Sequence, residues 1–232
     1  MKTKQRVKLI FTSPLWLISN GIRFSHDNHN QSDTIYFSEE NKTVYSSCIK
    51  IGKKDFNLIK KIGFVHFHQS VLEHSLIVFD VHMTTKSLLE ESRSRIGVSQ
   101  TVTSSRYALD LIDIEREPTG DSKLDEFNEK YRLELIELID SYRNDKGRIF
   151  KKDMDRLSLS LPQWFIYKMQ LSFNLRSLVG FLKLRLGSEV HINIRQIAYM
   201  LFKELPDDYK ELVLADKDIA KKVNQCKRDF DD

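Results

Sequence analysis

Glycine is scarce in this sequence. Its 232 residues hold eight Gly, and none of them spells G-x-G-x-x-G or G-x-x-x-x-G-K-[ST]. Without such a backbone cradle, a Rossmann or P-loop architecture is disfavoured. Proline is scarcer still, with four residues, so the chain is not linker-rich or low in complexity. The two cysteines, Cys48 and Cys226, are far apart and have no CxxC partner. That argues against a disulfide framework and makes a reducing cytoplasm the expected setting. No apolar run approaches the roughly 18 residues of a membrane span, so no membrane partner is expected. The basic start, MKTKQRVK, runs into an apolar segment that Ser13-Pro14 interrupts and that lacks a small-residue cleavage site. A signal peptide is therefore not expected. A dense Lys/Arg run with interleaved aromatics is also missing, and with it the usual footprint of nucleic-acid binding. No internal repeat is found.

What is present describes a soluble globular chain. Hydrophobic residues make up 41%, charged residues 30%, and the net charge is a mild +4. A balance of that kind suits a small anionic ligand. Val7 to Phe11 reads as a short buried strand, ended by Thr12-Ser13-Pro14. Ser13 is placed to cap the helix that Pro14 opens and that Leu15, Ile18 and Ile22 line. Thr34–Phe37 and Thr43–Ile51 are strand candidates. Asp55–Gly63 reads as a helix with Phe56, Ile59 and Ile62 inward, and Leu76–Val81 as a strand. Lys86–Arg95 is expected to be helical, with a polar loop after it.

The clearest helix runs from Asp121 to Asn144, where Leu124, Phe127, Tyr131, Leu135, Leu138 and Tyr142 recur at three- and four-residue spacing. Gly147 follows as a stop. Lys151–Leu161 is a second helix, ending before Pro162. Phe165, Tyr167, Met169, Leu171 and Phe173 alternate with Ile166, Lys168, Gln170 and Ser172 as a half-buried strand does. Leu178, Leu182 and Leu186 line one further helix, and Ile194, Ile197, Leu201 and Leu205 another. The expected class is α+β, a mixed sheet with flanking helices in one domain over residues 1–215. The charged tail 216–232 is expected to fray.

One stretch stands apart, EESRSRIGVSQTVTSSRY from Glu90 to Tyr107. Arg93 and Arg95 open it and Arg106 closes it, with hydroxyl side chains between. Guanidinium forks match phosphate geometry, and Ser and Thr hydroxyls add donors. His66, His68 and His74 with Glu73 invite a metal site, but H-E-x-x-H spacing is absent, and locally hydrogen-bonded histidines are the stronger reading. No metal is expected. Cys48 and Cys226 have no recognisable catalytic partner, and no G-x-S-x-G elbow exists.

Three segments in fixed order carry a resemblance. They are His68-x-Ser70-x-x-Glu73-His74, Arg93-x-Arg95 leading to Ser104-x-Arg106-Tyr107, and Asn174-x-Arg176-Ser177-Leu178 with Leu184-Arg185. With Thr12-x-Pro14, Arg23-x-Ser25, Leu161-Pro162, Ile194-Arg195 and Leu201-Phe202, the set resembles the flavin-dependent thymidylate synthases, the ThyX family. The resemblance implies a homotetramer with shared active sites that methylates deoxyuridylate (dUMP). It implies FAD as cofactor, with methylenetetrahydrofolate and NADPH as co-substrates. It further implies that Ser25, His68, Ser70, Arg93, Arg95 and Asn174 line the flavin site. Glu90, Arg93, Ser104, Ser105, Arg106 and Arg185 would contact the nucleotide, with Arg185 on its uracil ring as the catalytic residue.

The chain departs from the family pattern at several points. Ser94 stands where the signature has His, and eight residues rather than seven separate Arg95 from Ser104. Ser158 replaces a basic residue, Gly180 an Asn and Asn193 a Glu, and His191 stands at a more variable position. Deoxyuridylate hydroxymethylation and a non-catalytic nucleotide-binding or structural descendant remain the alternative readings.

Overall fold

The strand β1 (Arg6–Thr12) opens the chain and helix α1 (Trp16–His26) follows it. Ser13 does not cap that helix. Its Oγ accepts from the Leu76 N–H at 2.9 Å, and its own N–H donates to the Leu76 carbonyl, so it ties the two ends of neighbouring strands together. The computed structural model describes residues 3–36 and 48–231. Within that range β2 (Ile35–Tyr36) pairs antiparallel with β3 (Cys48–Lys50). The remainder of the two strand candidates, 37 and 43–47, lies outside the described residues, as does the Cys48 side chain. Helix α2 (Lys53–Ile59) continues through a wider turn to Val65, close to its expected span.

Next come β4 (Ile77–Thr84), α3 (Thr85–Glu91), β5 (Val98–Val102) and the short α4 (Ser105–Ala108). After them are α5 (Ser122–Ser141), α6 (Lys151–Leu157), β6 (Ile166–Phe173), α7 (Leu175–Arg185) and α8 (Ile192–Glu204). Helices α9 (Asp207–Val213) and α10 (Lys217–Phe230) end the chain.

The main sheet has the order β1-β4-β6-β5, and every pairing in it is antiparallel, so the expected mixed sheet resolves into an antiparallel one. Alternation decides its faces. Ile77, Phe79, Val81 and Met83 of β4, and Met169, Leu171 and Phe173 of β6, are buried. Asp80 and Lys168, from the intervening positions, point to solvent. α1, α7 and α8 contribute their apolar sides to the core over the buried face, and β1 packs against α8. β1 is an edge strand with an irregular register between Leu9 and Phe11. Ile10 and Phe11 are about half exposed there, not buried as the apolar run suggests.

A second, smaller core gathers Leu109, Ile114, Leu135, Ile139, Met154 and Phe165 between α5 and α6. It corrects the expected stripe of α5: Leu124, Phe127, Leu138 and Tyr142 are exposed, while Leu135 and Ile139 are buried. The periodicity identified the helix but not the side that packs.

Three further expectations change. α3 ends at Glu91 rather than Arg95. The polar stretch after it is not a plain loop, because Val98, Thr101 and Val102 find the open edge of β6 and form β5. The charged tail is also not frayed. Asp216 caps α10 through Asp218 N and Ile219 N, and Ile219, Val223 and Cys226 are buried against the main core. Arg195 of α8 reaches Asp229 at 2.5 Å, and Lys203 reaches Asp231 at 2.8 Å. Charged residues every few positions read as a solvated tail, yet three apolar residues at helical spacing suffice to dock it.

Candidate functional site

Residues 90 to 97 lie along α7. At the C-terminal end of that helix, Arg185 Nη1 donates to Glu90 Oε2 at 3.0 Å and Nη2 to the Glu90 carbonyl at 2.7 Å. Arg93 Nη1 donates to the same Glu90 Oε2 at 3.1 Å. One carboxylate thus gathers two of the arginines that the sequence singles out. At the N-terminal end, Asn174 caps α7, its Oδ1 accepting from Ser177 N at 2.8 Å. Its own N–H donates to the Gly97 carbonyl at 3.0 Å, and Ser177 Oγ donates to the Ile96 carbonyl at 2.6 Å. Gly97 is required here. Its φ is +65°, and a Cβ would overlap the Asn174 amide.

The third segment joins at the same helix end. The 3-10 turn Gln69–Glu73 packs on α1 and on α7. Arg176 Nη1 donates to Glu73 Oε1 at 2.5 Å, and Ser75 Oγ accepts from Leu175 N at 2.8 Å. Gly21 of α1 lies against the His74 ring, where a Cβ would crowd the imidazole. His68 and Ser70 are exposed beside it. Ser25, near the end of α1, is held by a bond from its Oγ to the Ile22 carbonyl at 2.7 Å. The end of α1 is itself fixed by the buried Arg23–Asp55 pair, in which Asp55 also accepts from the hydroxyls of Ser32 and Thr34. Arg23-x-Ser25 is therefore half anchor and half surface. Breaking a buried pair of this kind by removing one partner costs about 3–5 kcal/mol.

Three sequence segments separated by up to about a hundred residues are thus brought to one helix. The fourth is not. Thr103 to Arg106 lie beyond the other end of β5, where Thr103 N donates to the Lys168 carbonyl. Gly97 and Ser104 are separated by the strand itself, a span of about 20 Å at roughly 3.3 Å per residue. Arg106 pairs with Asp155 of α6 at 2.9 Å, and Lys151 Nζ sits 4.7 Å from the Tyr107 ring centroid. Arg156 pairs weakly with Asp153, and the Ser158 hydroxyl is turned to the Asp155 carbonyl. Among the described residues, no hydrogen bond or ion pair joins Ser104, Ser105 or Arg106 to Glu90, Arg93 or Arg185.

Most of the set is open to solvent: Ser25, His68, Ser70, Arg93, Arg95, Ser104 and Arg106 are all exposed. Cavities of about 480 and 610 Å³ lie elsewhere, along α8 and near Thr3, and neither is lined by any of these residues. Among the described residues, no group of three or more His, Cys, Asp and Glu is placed to hold a metal ion.

A family profile described as thymidylate synthase complementing protein matches residues 10–208. This chain belongs to the flavin-dependent thymidylate synthase family. The flavin-dependent thymidylate synthase of Campylobacter jejuni strain RM1221 is 26% identical over 216 residues, covering 88% of this chain and 94% of the relative. That of Helicobacter pylori strain 26695 is 29% identical over 174 residues, covering 69% and 82%. The crystal structure of Helicobacter pylori ThyX with FAD and dUMP superposes with a TM-score of 0.69 at 23% identity. It covers 92% of this chain and 99% of that one, so the ThyX fold is shared. The class read from the sequence, α+β, stands.

Sequence reasoning missed one member of this neighbourhood. Glu91 is fully buried at the end of α3, and burial pushes its carboxyl up to about 7, with Arg185 pulling the other way. A signal was available, because Thr84, Ser87 and Glu91 fall at i, i+3 and i+7, on one side of a helix.

Proposed function

We propose that this chain transfers a one-carbon unit from methylenetetrahydrofolate to C5 of deoxyuridylate, yielding thymidylate, with bound FAD and with NADPH as reductant. The observation that carries this reading is the gathering of Glu90 and Arg93 against Arg185 of α7, beside a loop end clamped by Asn174 and Ser177. A guanidinium held on two sides is preorganised to stabilise charge that develops on a pyrimidine ring, and costs little reorganisation when it does so. Arg185 takes that role. Arg106, with Ser104 and Ser105, holds the phosphate, for which forked N–H donors and hydroxyls are suited.

The residues present fit a flavin dinucleotide. Arg95 has no hydrogen bond or ion pair among the described residues, and its exposed guanidinium suits a pyrophosphate. His68, Ser70 and Ser25 add exposed donors. Their chain neighbours Phe67 and Phe24, 67% and 73% exposed, offer apolar surface for a ring system. Arg93 serves both ligands. Asn174 contributes mainly by fixing the loop, since its carbonyl oxygen is committed to the helix cap. The flavin supplies the hydride chemistry, and the protein aligns the partners and supplies the field.

The functional protein is a homotetramer in which neighbouring copies complete each site. Two features support this. The set lies on open surface, and among the described residues no hydrogen bond or ion pair joins its phosphate-binding part to its pyrimidine-binding part. A second copy that lays its α4 region over the α7 region of the first covers both.

The first test is spectroscopic. Purified protein incubated with FAD should retain a flavin absorbance after desalting, and light scattering should give four chains. Mass analysis of the product, with and without NADPH, should return thymidylate. A hydroxymethyl product would redirect the reading to the related hydroxymethylase. A colourless protein that binds no deoxyuridylate would sink the reading in favour of a non-catalytic role.

A further inference from the structure

Glu91 is a buried carboxyl that the reading above does not use. It is fully inaccessible, and among the described residues neither of its oxygens has a hydrogen-bond partner. Such a group is costly and calls for an explanation. The other polar residues on its side of α3 are satisfied. Thr84 Oγ1 donates to Ser87 Oγ at 3.0 Å, and Ser87 Oγ donates to Gln5 Oε1 at 3.1 Å. Two turns beyond Thr84, Glu91 shares none of these bonds. The charged side chain that acts on it is Arg185, whose Nε–H is itself buried with no acceptor among the described residues.

The other charges around α3 are turned elsewhere. On α8, Arg195 is engaged by Asp229, Lys203 by Asp231, and Glu204 by Leu9 N. Asp80 and His82 of β4, and Lys168 of β6, lie on the outer face of the sheet. On α3 itself, Glu90 is occupied by Arg93 and Arg185, while Lys86 lies toward the opposite end. The orphaned acid thus directly follows the residue whose carboxylate and carbonyl hold Arg185, a guanidinium with one buried N–H of its own left over.

We propose that Glu91 is a positioning residue for Arg185, and that the charge state of its carboxyl sets how much of the guanidinium's charge remains for the pyrimidine of a bound nucleotide. The proposal rests on the reading that Arg185 holds that ring. With Glu91 neutral, Arg185 is compensated by Glu90 alone. With Glu91 ionised, a second negative charge acts on the same guanidinium, and anionic character on the ring is stabilised less. The raised pKa places this change close to neutral pH.

The test compares wild-type enzyme with Glu91→Gln, loaded with FAD, in binding deoxyuridine monophosphate between pH 6 and pH 8. Phosphate ionisation near pH 6 affects both proteins alike and cancels in their ratio. Glu91→Gln stays neutral, so the two should bind within about twofold of each other at pH 6, and the variant about tenfold tighter than wild type at pH 8. A ratio that does not change with pH, or a variant weaker than wild type at pH 8, overturns the proposal.

A ligand-free measurement separates this inference from the proposed function. Carbon-13 NMR of labelled glutamate carboxyls follows Glu91 directly, its signal assigned by its loss in Glu91→Leu, which suits the apolar surroundings. In Arg185→Gln the titration midpoint should move up by about half a unit or more, because an opposing charge has been removed. An unmoved midpoint overturns the coupling. If the midpoint moves but no form of the protein binds deoxyuridine monophosphate, the proposed function falls and the coupling of Glu91 to Arg185 stands.

Discussion

The two ends of β5 carry arginines of different character. At the α7 end, Arg185 is largely buried and held by Glu90 through both a side-chain and a main-chain oxygen. At the α4 end, Arg106 is half exposed, lies over the Tyr107 ring, and pairs with Asp155, a carboxylate that is itself on the surface. The first rests on the large core under the sheet, and the second on the small core between α5 and α6. A group built into the main core keeps its geometry without ligand, whereas an exposed pair can exchange its partner for an incoming anion at little cost. The contrast suits a site in which one side stabilises developing charge and the other captures a phosphate.

The comparison breaks most severely at Arg185. Arg185→Ala should lower kcat by about a thousandfold or more, the scale of losing a preorganised donor to a transition-state charge. Circular dichroism should remain unchanged. Near-normal turnover would remove the α7 end from the chemistry.

Next in size is the pH dependence that Glu91 gives to stability. Its folded pKa is raised from 4.5 to about 7, so the folded state keeps a proton that the unfolded chain has already released. That contribution is fully present below about pH 4.5 and is lost as pH rises through about 7. Over this window the wild type should lose up to about 3 kcal/mol relative to Glu91→Gln in urea unfolding. A gap between the two proteins that is independent of pH would mean that Glu91 is already ionised throughout.

The α4 end should respond in binding rather than in turnover. Arg106→Ala removes only an exposed ion pair from the fold, worth less than about 1 kcal/mol. It should nevertheless raise the KM for deoxyuridylate about ten- to a hundredfold, as expected for losing a charge-assisted hydrogen bond to phosphate. A fall in kcat with KM unchanged would reverse the roles assigned to the two ends. The smallest effect is expected at Gly97, the tight turn that leads from the α7 end into β5. Gly97→Ala forces a Cβ into a left-handed conformation and against Asn174. It should cost about 1–2 kcal/mol, visible as a lower urea midpoint and weaker flavin retention.

Much of this was readable in the chain. The alternation in Phe165–Phe173 and the stripes of α7 and α8 appear where the pattern puts them, because each depends on a local period and one buried face; α6 ends at Leu157 rather than Leu161, a 3-10 turn filling the step to Pro162. The readings that failed involve a choice between faces or edges. On α5, Leu124 and Phe127 have the right spacing, yet the small core takes Leu135 and Ile139. Val98–Val102 looked like loop because strand formation there depends on a free edge of β6, which lies about seventy residues later. The α10 segment looked like tail because its charges outnumber the three residues that dock it.

The same division runs through the site. The sequence alone determined which residues are there: the arginines, their order, and the family whose pattern they follow, including the Ser94 and Ser158 departures. Residue identity and short-range spacing are chemical facts of the chain, and they suffice for that. Only the tertiary structure decided that Glu90 serves two arginines, that Asn174 and Ser177 clamp the arginine segment, that Ser104–Arg106 stand a strand away, and that Glu91 is buried with no hydrogen-bond partner among the described residues. Each of these is a contact or an absence of contact between residues distant in sequence. No local period encodes such relations, because they are settled by how the sheet and helices close over a common core.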